Sequence, residues 1–437
     1  MLIQILTSNL KGFVRRDAGG ITMMNIYFLV AVAMLAGIGI DVSNLMTART
    51  HLQTVADTAA HAALVEREWN DADTSRDKAI ALVKANMPPD YYGDVVEIEK
   101  ISFGDWDRAT RTFTVDDNDR GAVLVETTRS SENGNAVGTF LLKLVGLWNW
   151  DVTTVSVFET FRPTCLIEGF VAEGVVDIQS NNSYFNGFCI HSNSHVEINQ
   201  NNFFESGTIV SMPDSGDLVV PNDGLDDEKN EGLAKALREG RWFIKILDRL
   251  GKIIEGVQDE DSRYARAYID YDEDVLTLSG NSADPADFEK GRIYKLSCNK
   301  FSFGSGIYEE FIFIADCPLT FKNGAEFRDA VIITTSTSNK SMSAPNNLVL
   351  GKPDDCGAGG GAQLITYGDF DVAASLEMHG SQIIAAGNVE FAANADGIRG
   401  ASIVAGGRID GTSNMNFSFC GKGMDDSFAA EYFRLAG

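Results

Sequence analysis

The sequence is short of basic residues and histidine, and it has no closely spaced cysteines. There are 36 Lys and Arg against 62 Asp and Glu, a formal charge of −26 over 437 residues. Nucleic-acid binding needs clustered cations to neutralise phosphate, so nucleic acid is excluded as a partner. Such acidity usually serves solubility, and sometimes cation binding. Of the five histidines, His191 and His195 stand four apart, but in a strand-and-turn context that gives no shared helix face for zinc. Cys165, Cys189, Cys298, Cys317, Cys356 and Cys420 form no Cys-x-x-Cys pair and no zinc-spaced set. Neither Gly-x-Ser-x-Gly nor a Cys/His nucleophile set is present. The glycine-rich stretch Gly357-Ala358-Gly359-Gly360-Gly361 lacks the Lys-Ser/Thr of a phosphate loop. No catalytic, cofactor-binding or metal residue is therefore assigned.

What is present begins with one long apolar run, Gly20 to Ile40, including Ile21, Phe28 and Leu35. At ~1.5 Å per residue it reaches roughly 30 Å, the thickness of a bilayer core. Lys11, Arg15 and Arg16 precede it and Asp41 follows it. The positive-inside bias puts the N-terminus in the cytoplasm and the remainder on the far side. A cleaved secretory signal is the rival reading; against it, the run is long and no small-x-small site precedes Asp41. After Asp41, Leu45, Leu52, Val55, Ala59 and Ala62 recur at helical spacing. The small residues among Ala56 to Ala63 would let another helix approach closely. Such a face packs either along neighbouring subunits or onto the chain's own domain.

The stretch Arg16-Asp17-Ala18-Gly19-Gly20, the apolar run, Gly39-Ile40-Asp41-Val42-Ser43-Asn44-Leu45, and Ala48-Arg49-Thr50 through Leu52-Gln53 to Ala56-Asp57-Thr58-Ala59-Ala60 resembles the N-terminus of TadE/TadG-like proteins of the Flp (tight adherence) pilus system. Asn25 stands where pilin-like members carry Glu. The resemblance implies a single-pass protein of the bacterial inner membrane. Its partners would be pilus-assembly or pilin-like subunits met through the N-terminal helix, and its C-terminal part would be periplasmic or extracellular. No Asp-x-Ser-x-Ser motif of a von Willebrand A-type domain is found. In that compartment the even set of six cysteines reads as disulfides. Of the 15 connectivities open to six cysteines, the simplest is sequential: Cys165–Cys189, Cys298–Cys317 and Cys356–Cys420.

Between 41 and 160 the pattern predicts the rest of the helix and a small α+β domain. A helix over Ser75–Ala85 ends at Pro88-Pro89. Strands are expected at Val96–Ile101, Thr112–Val115 and Ala122–Thr128, joined by Asp- and Asn-rich turns. Gly104-Asp105-Trp106-Asp107 and Leu141-Leu142-Lys143-Leu144-Val145-Gly146 resemble the same family's periplasmic domain. Asp116, Asp117 and Asp119 could hold Ca²⁺, but an acidic turn is the simpler reading.

From 161 to 437 the chain repeats itself. Val176-Asp177-Ile178 recurs as Val196-Glu197-Ile198; Gly187 with Ile190 recurs as Gly207 with Val210. Gly368-Asp369-Phe370-Asp371 recurs at Gly387-Asn388-Val389-Glu390 and Gly407-Arg408-Ile409-Asp410, a step of about 20 residues. Short alternating strands at that period predict a mainly β, β-solenoid or β-helix-like domain, with a β-sandwich as the rival. Asn181, Asn182, Asn193, Asn199, Asn201 and Asn202 suit its left-handed corners. A helical insertion is expected at about 223–262, with helices over 229–257 broken at Gly240. Stacked coils would align Asp371, Glu390 and Asp410 outward, where Ca²⁺ is the one cofactor that could bind.

The domain plan is a cytoplasmic head at 1–19, a transmembrane helix at 20–40, a TadE/TadG-like domain at 41–160, and the solenoid-like domain beyond. The functional expectation is a non-enzymatic, envelope-anchored or pilus-incorporated minor-pilin-like protein. Its outer module would be adhesive or tip-like and would meet surface glycans or host surfaces. The alternative is a membrane-anchored polysaccharide-active β-helix enzyme.

Overall fold

The computed structural model describes residues 19–355 and 357–436. Lys11, Arg15, Arg16 and Cys356 lie outside the described residues. The chain forms two compact units, one reaching Phe161 and including the segment from Glu431, the other spanning Arg162–Ala430.

The first unit is built on one continuous helix, Gly19–Arg67, of 49 residues. Up to Ile40 it has no charge to hydrate, and Ile21, Phe28, Leu35 and Ile40 are all more than half exposed. Past Asp41 the character changes. Leu52, Ala56, Ala59, Ala60, Ala63 and Leu64 recur at helical spacing and are buried. The alanines let the helix lie close to an antiparallel sheet. That sheet runs Thr112–Val115, Ile101–Asp107, Ala122–Arg129, Val152–Phe161 and finally Tyr432–Leu435. A second helix, Ala72–Asn86, starts where the Asp71 carboxylate accepts the Thr74 N–H at 2.7 Å and stops before Pro88.

Two expectations change in this unit. Val96–Ile101 is not a strand: a 3₁₀ turn occupies Ile98–Lys100, and the strand begins at Ile101 and runs through Trp106. Val95 and Val96 are both buried while Ile98 is exposed, so the apparent alternation never lies against a sheet face. The end of the chain also leaves the solenoid-like region. Tyr432–Leu435 pairs antiparallel with Val152–Phe161 and completes the first unit's sheet.

The second unit is β-rich with few helices, and its strands stack in parallel and in register, as a β-solenoid-like domain requires. One ladder reads Leu276, Tyr294, Phe313, Ile332, Leu364, Ile383, Ile403, Phe170, Ile190, Val210, Leu237. At ~4.8 Å per step it is about 48 Å long. A second face stacks Phe301, Leu319, Met342, Phe370, Val389, Ile409, Val176 and Val196. A third brings together Tyr308, Phe327, Leu350 and Met378, then Ile398, Phe417, Tyr184 and Phe204. These residues fill one interior.

Every recurrence seen in the sequence is a pair of stacked neighbours here. The order in space differs from the order in the chain. The coil at Gly169–Phe185 stacks on the last C-terminal coil, Ile403 against Phe170 and Ile409 against Val176. The segment 240–275 therefore joins opposite ends of the ladder. The two helices expected over 229–257 do not form: only Leu233–Ala236, ahead of this segment, and Leu247–Arg249 and Leu250–Gly256, within it, are helical, and Leu237–Glu239 is a strand of the stack. The segment's Ile244, Ile246, Leu250, Ile253, Val257 and Tyr264 bury the outer side chains of the first ladder, including Ile312, Val331, Ile365, Ile384 and Val404. That ladder is covered on both faces, which is why its strands read as unbroken apolar runs such as Val331-Ile332-Ile333.

Candidate membrane anchor and carboxylate ladder

The expected anchor residues Ile21, Phe28, Leu35 and Ile40 lie on the exposed part of the helix, which also contains Gly20. Among the described residues this is the one helix long and apolar enough to span a membrane. The expected helix-packing residues lie further on. Leu52, Val55 and Ala59 are buried and Leu45 and Ala62 half-buried, all within the first unit. The small-residue face is thus covered by the chain's own sheet and second helix.

Asp41 does more than end the apolar run. It is fully buried and accepts three backbone N–H groups, Phe140 at 2.5 Å, Leu141 at 3.0 Å and Leu142 at 2.6 Å. Burial pushes its carboxyl up, but these three donors and the nearby Lys143 ammonium outweigh it and hold the group below the usual carboxylate range. The Asn44 amide reaches the Gly138 carbonyl at 3.1 Å. A lone carboxylate closing an apolar run, with Leu141-Leu142-Lys143 a hundred residues on, was the only sequence trace of this clasp.

Two of the expected disulfides are present, Cys165–Cys189 and Cys298–Cys317. The second ties neighbouring coils, and the first ties the 3₁₀ turn Thr164–Leu166 to the strand Cys189–Ser192. No described cysteine is free; the third expected pair involves Cys356, outside the described residues. The Asp316 carboxylate lies beside Cys298 and Cys317. It accepts the Ser297 hydroxyl at 2.7 Å and the Cys298 N–H at 3.0 Å, and the two sulfurs are bonded to each other. The group is a turn cap beside a disulfide.

The outward column is longer than the sequence indicated. Asp371, Glu390, Asp410, Asp177 and Glu197 follow one another in register, because the first coil stacks on the last. Repulsion along the column is relieved by cations. Lys340 lies 3.3 Å from Asp371. The Arg408 guanidinium contacts Asp177, and it lies 3.2 Å from Glu197 and 3.8 Å from Asp410. Burial and the Asp410 charge nevertheless keep the Asp177 carboxyl above its ordinary range, against the pull of Arg408. The five carboxylates of the column thus share two cations, Lys340 and Arg408.

Of the six asparagines expected at left-handed corners, Asn181 and Asn201 are left-handed, whereas Asn182, Asn193, Asn199 and Asn202 are not. Asn181, Asn201 and Asn414 have φ of 63°, 64° and 62°. Beside them Asn182, Asn202 and Asn230 are buried, each side-chain oxygen accepting a backbone N–H from the neighbouring coil. His191 and His195 do not converge. His191 is buried between the Ser211 hydroxyl (2.7 Å) and the Asn193 side-chain oxygen (3.0 Å), whereas His195 faces Glu197 at 3.2 Å. Asp116 and Asp119 accept backbone N–H groups of their own turn and Asp117 pairs with Arg76.

Fold and site together define a protein with one long apolar N-terminal helix, a small α+β unit built on it, and a disulfide-bonded stack of parallel coils. The profile described as "Domain of unknown function (DUF7867)" matches residues 169–421, more than half of the chain, and the chain belongs to that family. The Tad profile, described as "Putative Flp pilus-assembly TadE/G-like", matches residues 19–67, which is the anchor helix. The N-terminal region is thus TadE/TadG-like. No curated protein and no solved structure matches the chain.

Proposed function

We propose that this is an envelope-anchored or pilus-incorporated, minor-pilin-like component of a Flp-type pilus system. The helix crosses the inner membrane with its N-terminus in the cytoplasm. The coil stack is presented in the periplasm or outside the cell as an adhesive or tip-like module. The observation that carries the reading is the Tad-like helix itself: exposed and uncharged up to Ile40, then packed under a folded unit. Basic Lys11, Arg15 and Arg16 before the span support the orientation, and the two disulfides fit an oxidising compartment. The reading needs neither cofactor nor catalysis, although Ca²⁺ could join acidic side chains to a ligand.

Two experiments test the proposal. A reporter active only in the periplasm, fused after Phe161, should be active; activity confined to a cytoplasmic reporter would overturn the orientation. Immunogold labelling of sheared pili should find the protein on them if it is incorporated, and in the cell envelope alone if it is only anchored. Its absence from both would end the proposal.

A further inference from the structure

The loop held by Asp41 has an unusual composition for a surface turn. Phe140, Leu144, Val145, Leu147 and Trp148 are all about half exposed or more, Leu144 reaching 80%. Lys143 is the loop's one charge. The segment is nonetheless ordered by design. Thr139 donates to the Trp148 carbonyl at 3.0 Å, Leu144 to Leu141 at 3.1 Å, Gly146 to Lys143 at 3.2 Å and Leu147 to Leu142 at 3.1 Å. Asp41 takes the N–H groups of Phe140, Leu141 and Leu142. Gly146 supplies the left-handed corner at φ 91°. Leu141 packs on Gly37, so closely that a Cβ there would meet its side chain at 2.8 Å.

The loop lies against the exposed apolar half of the helix. Val30, Ala33, Met34, Gly37 and Ile38 share with it an almost wholly apolar cleft of about 340 Å³. These helix residues precede Asp41 by three to eleven positions. At ~1.5 Å per residue they lie about 5 to 16 Å below it, within one leaflet of a bilayer core of ~30 Å.

We propose that the loop 139–148 is a lipid-inserted wedge, dipping into the outer part of the same bilayer that the helix spans. The inference rests on the membrane-spanning reading of the helix. Two independent features single out lipid as the occupant. The apolar surface of the loop is continuous with that of the spanning helix. The loop also satisfies most of its backbone donors internally, which lowers the cost of moving its chain from water into the apolar margin of the bilayer. Trp148 then sits at the interface, where amphipathic rings concentrate, and Lys143 extends its ammonium to the headgroups. The clasp fixes how deep the helix sits and which face it turns to the first unit.

The test uses the full chain in phosphatidylcholine vesicles whose lipids are brominated in the upper acyl chain. Flotation with the vesicles is scored separately. Bromination should quench wild-type tryptophan emission, and most of that quenching should be lost in W148F. A Leu144→Asp, Val145→Asp variant, altered only at exposed positions, should float normally yet shift the Trp148 emission to the red. Benzophenone placed at position 144 should cross-link to lipid. Equal quenching of wild type and W148F with flotation intact overturns the wedge alone, as does cross-linking to a second copy of the chain. Failure to float overturns the spanning reading, and the wedge with it.

Discussion

Val389 and Glu390 are adjacent, yet one is fully buried and the other exposed. Val389 lies between Phe370 and Ile409 in the stack. Val389→Asp would bury a carboxylate with no cation, a cost of several kcal/mol, and should unfold the coil module. Glu390→Ala should change its stability by less than about 0.5 kcal/mol. Thermal denaturation of the two variants checks this, and equal melting points would sink the inward assignment. His191 gives the pH dependence. Burial holds its imidazole below the ordinary value, against Asn193 and Glu173, so the folded chain keeps it neutral. The unfolded chain takes up a proton below about pH 6.5. Stability is therefore full above about pH 6.5 and falls as the pH drops, by up to about 1.4 kcal/mol per unit from this group. His379, also lowered chiefly by burial, adds in the same sense. His191→Gln should flatten the slope of unfolding free energy between pH 6.5 and 5.5; an unchanged slope would refute the assignment.

Elements were legible in the sequence wherever one face alternates or repeats. The strands at Thr112 and Ala122, the helix ending before Pro88, and the tripeptides around Val176, Val196, Val389 and Ile409 all stand where they were expected. Between 229 and 257 the helical spacing holds only at the end: Leu250 and Ile253 are buried on the short helix Leu250–Gly256, against the outer surface of the parallel ladder. Ahead of it Asn230–Glu231 and Leu237–Glu239 are strands. The central coils were missed, although Tyr294, Phe313 and Ile332 keep a 19-residue step. Their side chains vary in type, so no motif repeats by eye. At this scale the disulfides act as staples. The bond Cys298–Cys317 closes a separation of 19 residues, for which chain entropy predicts about 3 kcal/mol. The double variant Cys298→Ala, Cys317→Ala should lose about that much in denaturant unfolding, and mass mapping without reduction should find no free thiol in the wild type.

The whole molecule depends on two returns of the chain. One carries it from Glu239 back to Leu276 at the other end of the stack. The other takes Tyr432–Leu435 to the edge of the first unit's sheet, where Arg434 pairs with Glu159 and lies 4.5 Å from the Phe161 ring. Removing the chain from Glu431 onward should lower the melting of the first unit, because its edge strand and its ion pair are lost, and leave the coil module's transition in place. Calorimetry distinguishes the two, and a shift confined to the coil module would contradict the assignment.

What the sequence determined by itself was local and periodic. An uncharged apolar run must leave water, a step near 20 residues must stack like on like, and a Tad-like helix is recognisable from its own residues. Where those pieces end up was decided only by the tertiary structure. Asp177 comes to lie beside Asp410, and Asp41 clasps the amides of Phe140 to Leu142, across 99 to 233 residues of chain. A stack has two open ends with unpaired backbone groups, and a buried carboxylate needs donors. Each takes the partner that the finished packing brings near, and no spacing along the chain encodes that choice.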